Sequence, residues 1–215
     1  MESPAAPQND QYFAELIQQA EIFYFPTELL GPPVASEPAW KFLAALRRSG
    51  GSFALGWDLI GGEQQPLLEQ WRSREISNDK FMVQIHFAGS VRERENCRAF
   101  LRETQSFGVR QLALRPPDTV GLSSEVALPQ FAAEQIAASL SDHPDKKFVA
   151  FIHRRELDSA RGVPYFVAQK TKVRQLVLDL PPPPSSPPHL LTNHGAAGLG
   201  RGFEVVDRAP RARDN

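Results

Sequence analysis

Cysteine is almost missing from this chain. Cys97 is the single one in 215 residues, which excludes an intramolecular disulfide and any metal site built from several thiolates. Long apolar runs are missing too. Runs such as Phe148 to Ile152, with none longer, fall far short of the ~20 residues that cross a bilayer, so no membrane span is expected. Charge of one sign is not in excess: 24 basic against 25 acidic residues leave a net charge of -1, and nothing draws the whole chain to nucleic acid or an anionic surface. The opening residues Met1-Glu2-Ser3-Pro4-Ala5-Ala6-Pro7 have neither the basic nor the apolar region of a secretory leader, so a cytoplasmic location is expected. The sequence has no Gly-x-x-x-x-Gly-Lys-Ser/Thr phosphate loop, no Gly-x-Ser-x-Gly nucleophile elbow and no His-Glu-x-x-His zinc helix. None of the five histidines pairs with another at metal-ligand spacing.

What is present is enough for a core. At 41% hydrophobic and 23% charged, the chain is too apolar to be a disordered polymer. Six of its nineteen prolines fall in 181–188. Proline donates to neither helix nor sheet, so 181–215 reads as a disordered, proline- and glycine-rich tail, either a linker or a ligand for a partner's aromatic groove. Residues 1–10 read as a flexible N-terminus and 11–180 as the folded domain. Bases concentrate in 146–174, eight against two acids. Such a stretch either holds an anion or is a solvated face that pairs with the acidic first half.

Within 11–180, helical and extended patterns alternate. Tyr12, Phe13, Leu16 and Ile17 share a helical face, with Asp10 as the expected N-cap. Ile22 to Phe25 forms a strand stopped by Pro26. Ser36-Glu37-Pro38 starts a helix, and Ser52 to Leu59 is the second strand. Gln65 to Trp71 and the region of Phe81 to Ile85 are helical. Ser90-Val91-Arg92-Glu93 is a capping box, opening a helix that carries Cys97 as a small core residue. Val109 to Leu114, Lys147 to Ile152 and Val173 to Leu180 are further strands, with a helix opened by Pro129 between the first two. Strand-helix alternation at this spacing predicts an α/β fold: a mainly parallel sheet of about five strands with helices on both faces. Ligands of such sheets bind beyond the carboxyl ends of the strands. Thr27, Glu28, Asp58, Arg115, His153, Arg154 and Arg155 fall there. Glu28 and Asp58 are expected to end neighbouring strands, with His153 completing a cluster able to bind a ligand or exchange protons.

The stretch Phe53-Ala54-Leu55-Gly56-Trp57-Asp58-Leu59-Ile60, followed by Glu63-Gln64-Gln65-Pro66-Leu67-Leu68, resembles the ChaN-like haem-binding uptake family of the Tiki superfamily. There a Gly-hydrophobic-Glu strand end leads through a Gln-Pro turn into a helix. Arg161-Gly162-Val163-Pro164-Tyr165 is similar to the family's Gly-hydrophobic-Pro segment, and the order of elements matches from about Tyr12 to Leu180. Departures are specific. The first strand runs into Pro26-Thr27-Glu28-Leu29 instead of Gly-Glu-x-His, Asp58 replaces a glutamate, and His153 is out of register.

The resemblance implies a site for haem or a related anionic ligand at the strand ends. His153, Tyr165 or Tyr24 would be the axial group, and Arg154, Arg155 and Arg161 would hold the propionates. Two alternatives remain: a non-catalytic scaffold with a degenerate site, and a Tiki-like metal-dependent hydrolase using Glu28, Asp58 and His153. A homodimer and a partner for the tail are the expected assemblies.

Overall fold

Side chains alternate across the strands, and here they divide the core into two layers. The computed structural model describes residues 6–30, 33–117, 127–158, 161–178 and 203–205. Five parallel strands, β1 (Ile22–Pro26), β2 (Phe53–Gly61), β3 (Arg110–Arg115), β4 (Lys147–Ile152) and β5 (Gln175–Leu178), lie in the order β3-β2-β4-β1-β5. A short β6 (Phe203–Val205) adds antiparallel to β5. The remainder of the 181–215 tail, and any partner for it, lies outside the described residues.

Phe23, Phe25, Leu55, Trp57, Val149 and Phe151 face one layer of helices. That layer holds α1 (Ala6–Gln19), α2 (Pro33–Arg48), α3 (Gln65–Arg72), α4 (Asn78–Gln84) and α5 (Val91–Thr104). Ile22, Tyr24, Ala54, Leu114, Phe148 and Ile152 face the other. Its helices are α6 (Ala127–Asp142), α7 (Arg154–Asp158) and α8 (Val163–Lys170). The expected α/β architecture, with helices on both faces, is the one observed.

Strand order explains this division. The chain steps from β1 past one position to β2, then on to β3, and its helices cover one face. From β3 it reverses to β4 and β5, and right-handed crossovers send the helices to the opposite face. Strand β4 inserts between β2 and β1, so β2, which carries Asp58, and β1, which leads into Glu28, are not neighbours as the sequence led us to expect. Adjacent strands β2 and β4 leave the sheet toward opposite faces. Their carboxyl ends therefore bound a crevice of the kind that holds ligands in open α/β sheets.

Helix starts differ from expectation in an informative way. Helix α1 begins at Ala6, within the stretch read as flexible and ahead of Asp10, with Pro7 in its first turn. Helix α2 begins at Pro33 and contains Pro38. In both, a proline just inside the start, with its angle already helical, marks the beginning better than the polar cap candidate did. The capping box at Ser90 is present: Glu93 N–H donates to Ser90 Oγ at 3.3 Å, and Ser90 N–H donates to Glu93 Oε2 at 2.7 Å.

Two aromatic rings pin the centre of the sheet. Trp57 and Phe151 are register partners on β2 and β4, and their rings stack at 4.6 Å. The Trp57 indole N–H donates to Gln111 Oε1 at 2.7 Å, and Gln111 Nε2–H donates to Thr104 Oγ1 at 3.2 Å. Beside Trp57, Gly56 has no room for a side chain. A Cβ there would lie 2.5 Å from Leu114 Cδ1 and 2.8 Å from Phe148 Cε1. Gly56→Ala is therefore expected to lower unfolding free energy by about 1–3 kcal/mol, the usual cost of overpacking. Urea denaturation measures this, and an unchanged midpoint would contradict the packing described.

Candidate functional site

Strand β2 outlasts its neighbour. Its last ladder pair with β4 is Trp57 with Phe151, and β4 ends at Ile152. Asp58 therefore lies inside β2, not at its end as expected, and stands where β4 leaves the sheet. Its Oδ2 accepts a hydrogen bond from the His153 N–H. Asp58 is 3% exposed, yet Oδ1 is buried and has no hydrogen-bond partner among the described residues. A buried polar atom of this kind needs an explanation.

Neighbouring elements bring further charge. After β1 the chain turns through a short 3₁₀ helix, Thr27–Leu29. Glu28, on this turn, accepts the Arg154 N–H at 3.2 Å through both carboxylate oxygens. His153 Nε2 lies 3.4 Å from Glu28 Oε1 and 3.7 Å from Glu93 Oε1. Arg155 N–H donates to His153 Nδ1 at 3.3 Å, so in the neutral ring the proton sits on Nε2, facing the two glutamates. Asp58, Glu93, Arg115, His153, Arg155 and Glu156 line a cleft of about 230 Å³. Glu28, Asp58 and His153 thus converge, although their strands lie in an order other than the one expected.

The other candidates divide: Arg155 borders the cleft and Arg154 adjoins it through its backbone, whereas Arg161, Tyr165 and Tyr24 stand apart from it. Arg154 opens α7, its backbone amide on Glu28. Arg155 pairs with Glu156 at 3.2 Å and keeps 75% of its side chain exposed. Arg161 is exposed and, with Tyr165, is not among the residues lining the cleft. Tyr165 sits on α8 with its ring edge-on to Phe166. Tyr24 is fully buried on the α6 side of the sheet, and its hydroxyl donates to Gln175 Oε1. That removes it as an axial group. Several bases of the 146–174 stretch are engaged within the domain. Lys170 pairs with Glu134, Arg174 with Glu21, and the Lys147 Nζ donates to Ala20 O.

Glu93 and Glu156 were not anticipated as site residues. A capping glutamate explains itself as a cap, which hid the second role of Glu93. The signal was positional: α5 leads directly into β3, so its N-terminus must lie at the carboxyl end of the sheet. Glu156 carried the same kind of signal, one residue beyond Arg155 after the end of β4.

Burial pushes the Asp58 carboxyl up to about 7. The His153 amide bond opposes this, Glu28 reinforces it, Arg115 opposes it and Glu156 adds to it. Hydrogen bonds from Ser90 instead hold Glu93 below the usual glutamate range. Burial, with Asp58 nearby, raises the Cys97 thiol well above its usual value, consistent with a core residue and not a nucleophile. Among the described residues no group of three or more His, Cys, Asp or Glu is arranged to hold a metal ion, and no helix is long and apolar enough to cross a membrane.

No protein-family model matches the sequence, and no curated protein matches it. Solved structures do. ChaN of Campylobacter jejuni, in a structure described as showing cofacial haem binding, shares the fold at a TM-score of 0.54 with 10% identity, over 79% of this chain and 84% of that one. RRSP, a MARTX toxin effector domain from Vibrio vulnificus CMCP6, aligns at a TM-score of 0.49 with 14% identity, over 80% of this chain but 36% of that one. The first likeness supports a ChaN-like fold.

The Asp58 environment has a consequence for stability. Native Asp58 keeps its proton to about pH 7, whereas the unfolded chain releases it near the ordinary 3.8. Between those values the unfolded state gains more from ionisation, so this group costs stability as pH rises, up to about 4 kcal/mol above pH 7. Asp58→Asn lacks that term. Its stability relative to the parent should increase between pH 4.5 and 8 in urea denaturation; a difference that does not change with pH would contradict the assigned environment.

Proposed function

We propose that the carboxyl-end cleft is a working site at which Asp58 exchanges a proton with a small polar ligand, with acid–base hydrolysis as the reaction class. The observation that supports this reading is the split role of one buried carboxyl. Oδ2 is held by the His153 amide while Oδ1, without a partner among the described residues, belongs to a residue that borders the cleft. A carboxyl titrating near neutral pH is present in both forms under working conditions, which suits a general acid or base. In hydrolysis it would take a proton from the attacking water and return it to the leaving group. His153, oriented by Arg155 N–H and facing Glu28 and Glu93, is the neighbouring polar group available to position that ligand. The scaffold reading is weaker here because Asp58, Glu93, Arg115, His153, Arg155 and Glu156 border the cleft alongside Leu59 and Leu128, so bulky apolar groups do not plug it.

Haem is the second candidate ligand, on the fold shared with a haem-binding ChaN and the 44% exposure of the His153 side chain. A bound haem would supply an iron centre and planar tetrapyrrole chemistry, with His153 Nε2 the ring nitrogen that could approach the iron. The fit is poor. Two carboxylates lie within 3.7 Å of that nitrogen, and the cleft is smaller than the ~300–1,000 Å³ of ordinary ligand pockets.

Activated aryl esters and amides assayed at pH 7.5 should be hydrolysed above the buffer rate. Asp58→Asn should reduce the rate about 100-fold or more, the usual weight of a general acid–base group. An undiminished rate in that variant would remove Asp58 from the chemistry. Hemin titration should leave the Soret band at its free position; a shifted, saturable band lost in His153→Ala would favour the haem reading.

A further inference from the structure

A second groove lies at the opposite end of the sheet. Phe53 opens β2 there, five residues before Asp58, so about 17 Å of extended chain separates the two places. The groove has a volume of about 740 Å³, and Arg47, Arg72, Arg110, Lys146, Glu69 and Phe107 are among its lining. Four cations thus face one carboxylate.

Glu69 holds two of those cations in place. Its Oε2 accepts from Arg72 Nε at 2.8 Å, and its Oε1 accepts from Arg110 Nε at 3.4 Å. Both bonds use Nε, so the terminal Nη groups of the two guanidiniums make no hydrogen bond among the described residues. Arg47 lies over the Phe107 ring, 5.5 Å from its centroid, and the Lys146 Nζ likewise makes no hydrogen bond or ion pair among those residues. Positions at helix C-termini account for Arg47 in α2 and Arg72 in α3, since each opposes the negative end of its helix. They do not account for Arg110, which starts a strand, or Lys146, which precedes one. Like charges gathered in a groove repel one another unless an anion joins them, and paired guanidinium forks match phosphate oxygens.

We propose that this amino-end groove is a binding site for a phosphorylated anion, clamped by the Nη groups of Arg72 and Arg110 with Arg47 and Lys146 also lining it. The chemistry is shared by free polyphosphates and nucleoside phosphates. Calorimetric titration of the full chain with pyrophosphate and with ATP separates these sources. Saturable binding below about 1 mM, weakened by added salt, is expected for at least one of them. Arg72→Gln combined with Arg110→Gln should weaken it roughly tenfold or more. Lys146→Ala, which breaks no hydrogen bond or ion pair among the described residues, should weaken it in the same direction and guards against loss of fold in the double variant. Binding of ATP alone would support the groove with a nucleoside contribution; equal binding of pyrophosphate would support it through phosphate alone. Failure of both anions to bind by about 10 mM, or affinity unchanged in both variants, would overturn the proposal.

Discussion

The hydrogen bond from the His153 amide to the Asp58 carboxyl joins two facts that need not have met. One is topological. Because β4 inserts between β2 and β1 and the connecting helices leave toward opposite faces, a crevice opens at the carboxyl ends of these strands. The other is local: β2 continues after its pairing with β4 has ended. Asp58 is the first residue past the final β2–β4 ladder pair, and its carboxyl meets the first backbone amide after β4. Burial of that carboxyl, with one oxygen left over, follows from the packing around it.

Everything else at the rim is arranged about that bond. The stacked pair Trp57 and Phe151 fixes the register one residue earlier. Glu28 ties the turn after β1 to the first residue of α7, which holds His153 between two anchored segments. Glu93 joins from the N-terminus of α5, where the capping box already fixes its carboxylate. A cleft whose groups are held from several elements at once is preorganised, and preorganised charge does the most in a partly desolvated site. The same packing leaves the opposite end of the sheet with a different charge pattern, dominated by arginine.

Much of this frame was legible in the sequence, and its failures have physical causes. Strand β4 and the start of α5 could be read to the residue, because a clean apolar run and a capping box are local signals. The grouping of Glu28, Asp58 and His153 followed from the rule that parallel sheets bind ligands at their carboxyl ends. Strand order did not follow, since a strand's neighbours depend on which face each crossover takes. Helix α7 was invisible because five residues cannot display a period. Helix α8 carries a usable local signal, Pro164 in its first turn after the N-cap Gly162. Tyr24 looked available as a ligand because a strand pattern alone does not tell which face is closed by helices.

Residue-resolved carbon-13 NMR of the Asp58 side-chain carboxyl, followed from pH 3 to pH 9, tests the central claim most directly. Burial beside the His153 amide predicts a midpoint near 7. A midpoint near the ordinary 3.8 would mean that Asp58 is solvated, and the account of the rim as an acid–base site would fail.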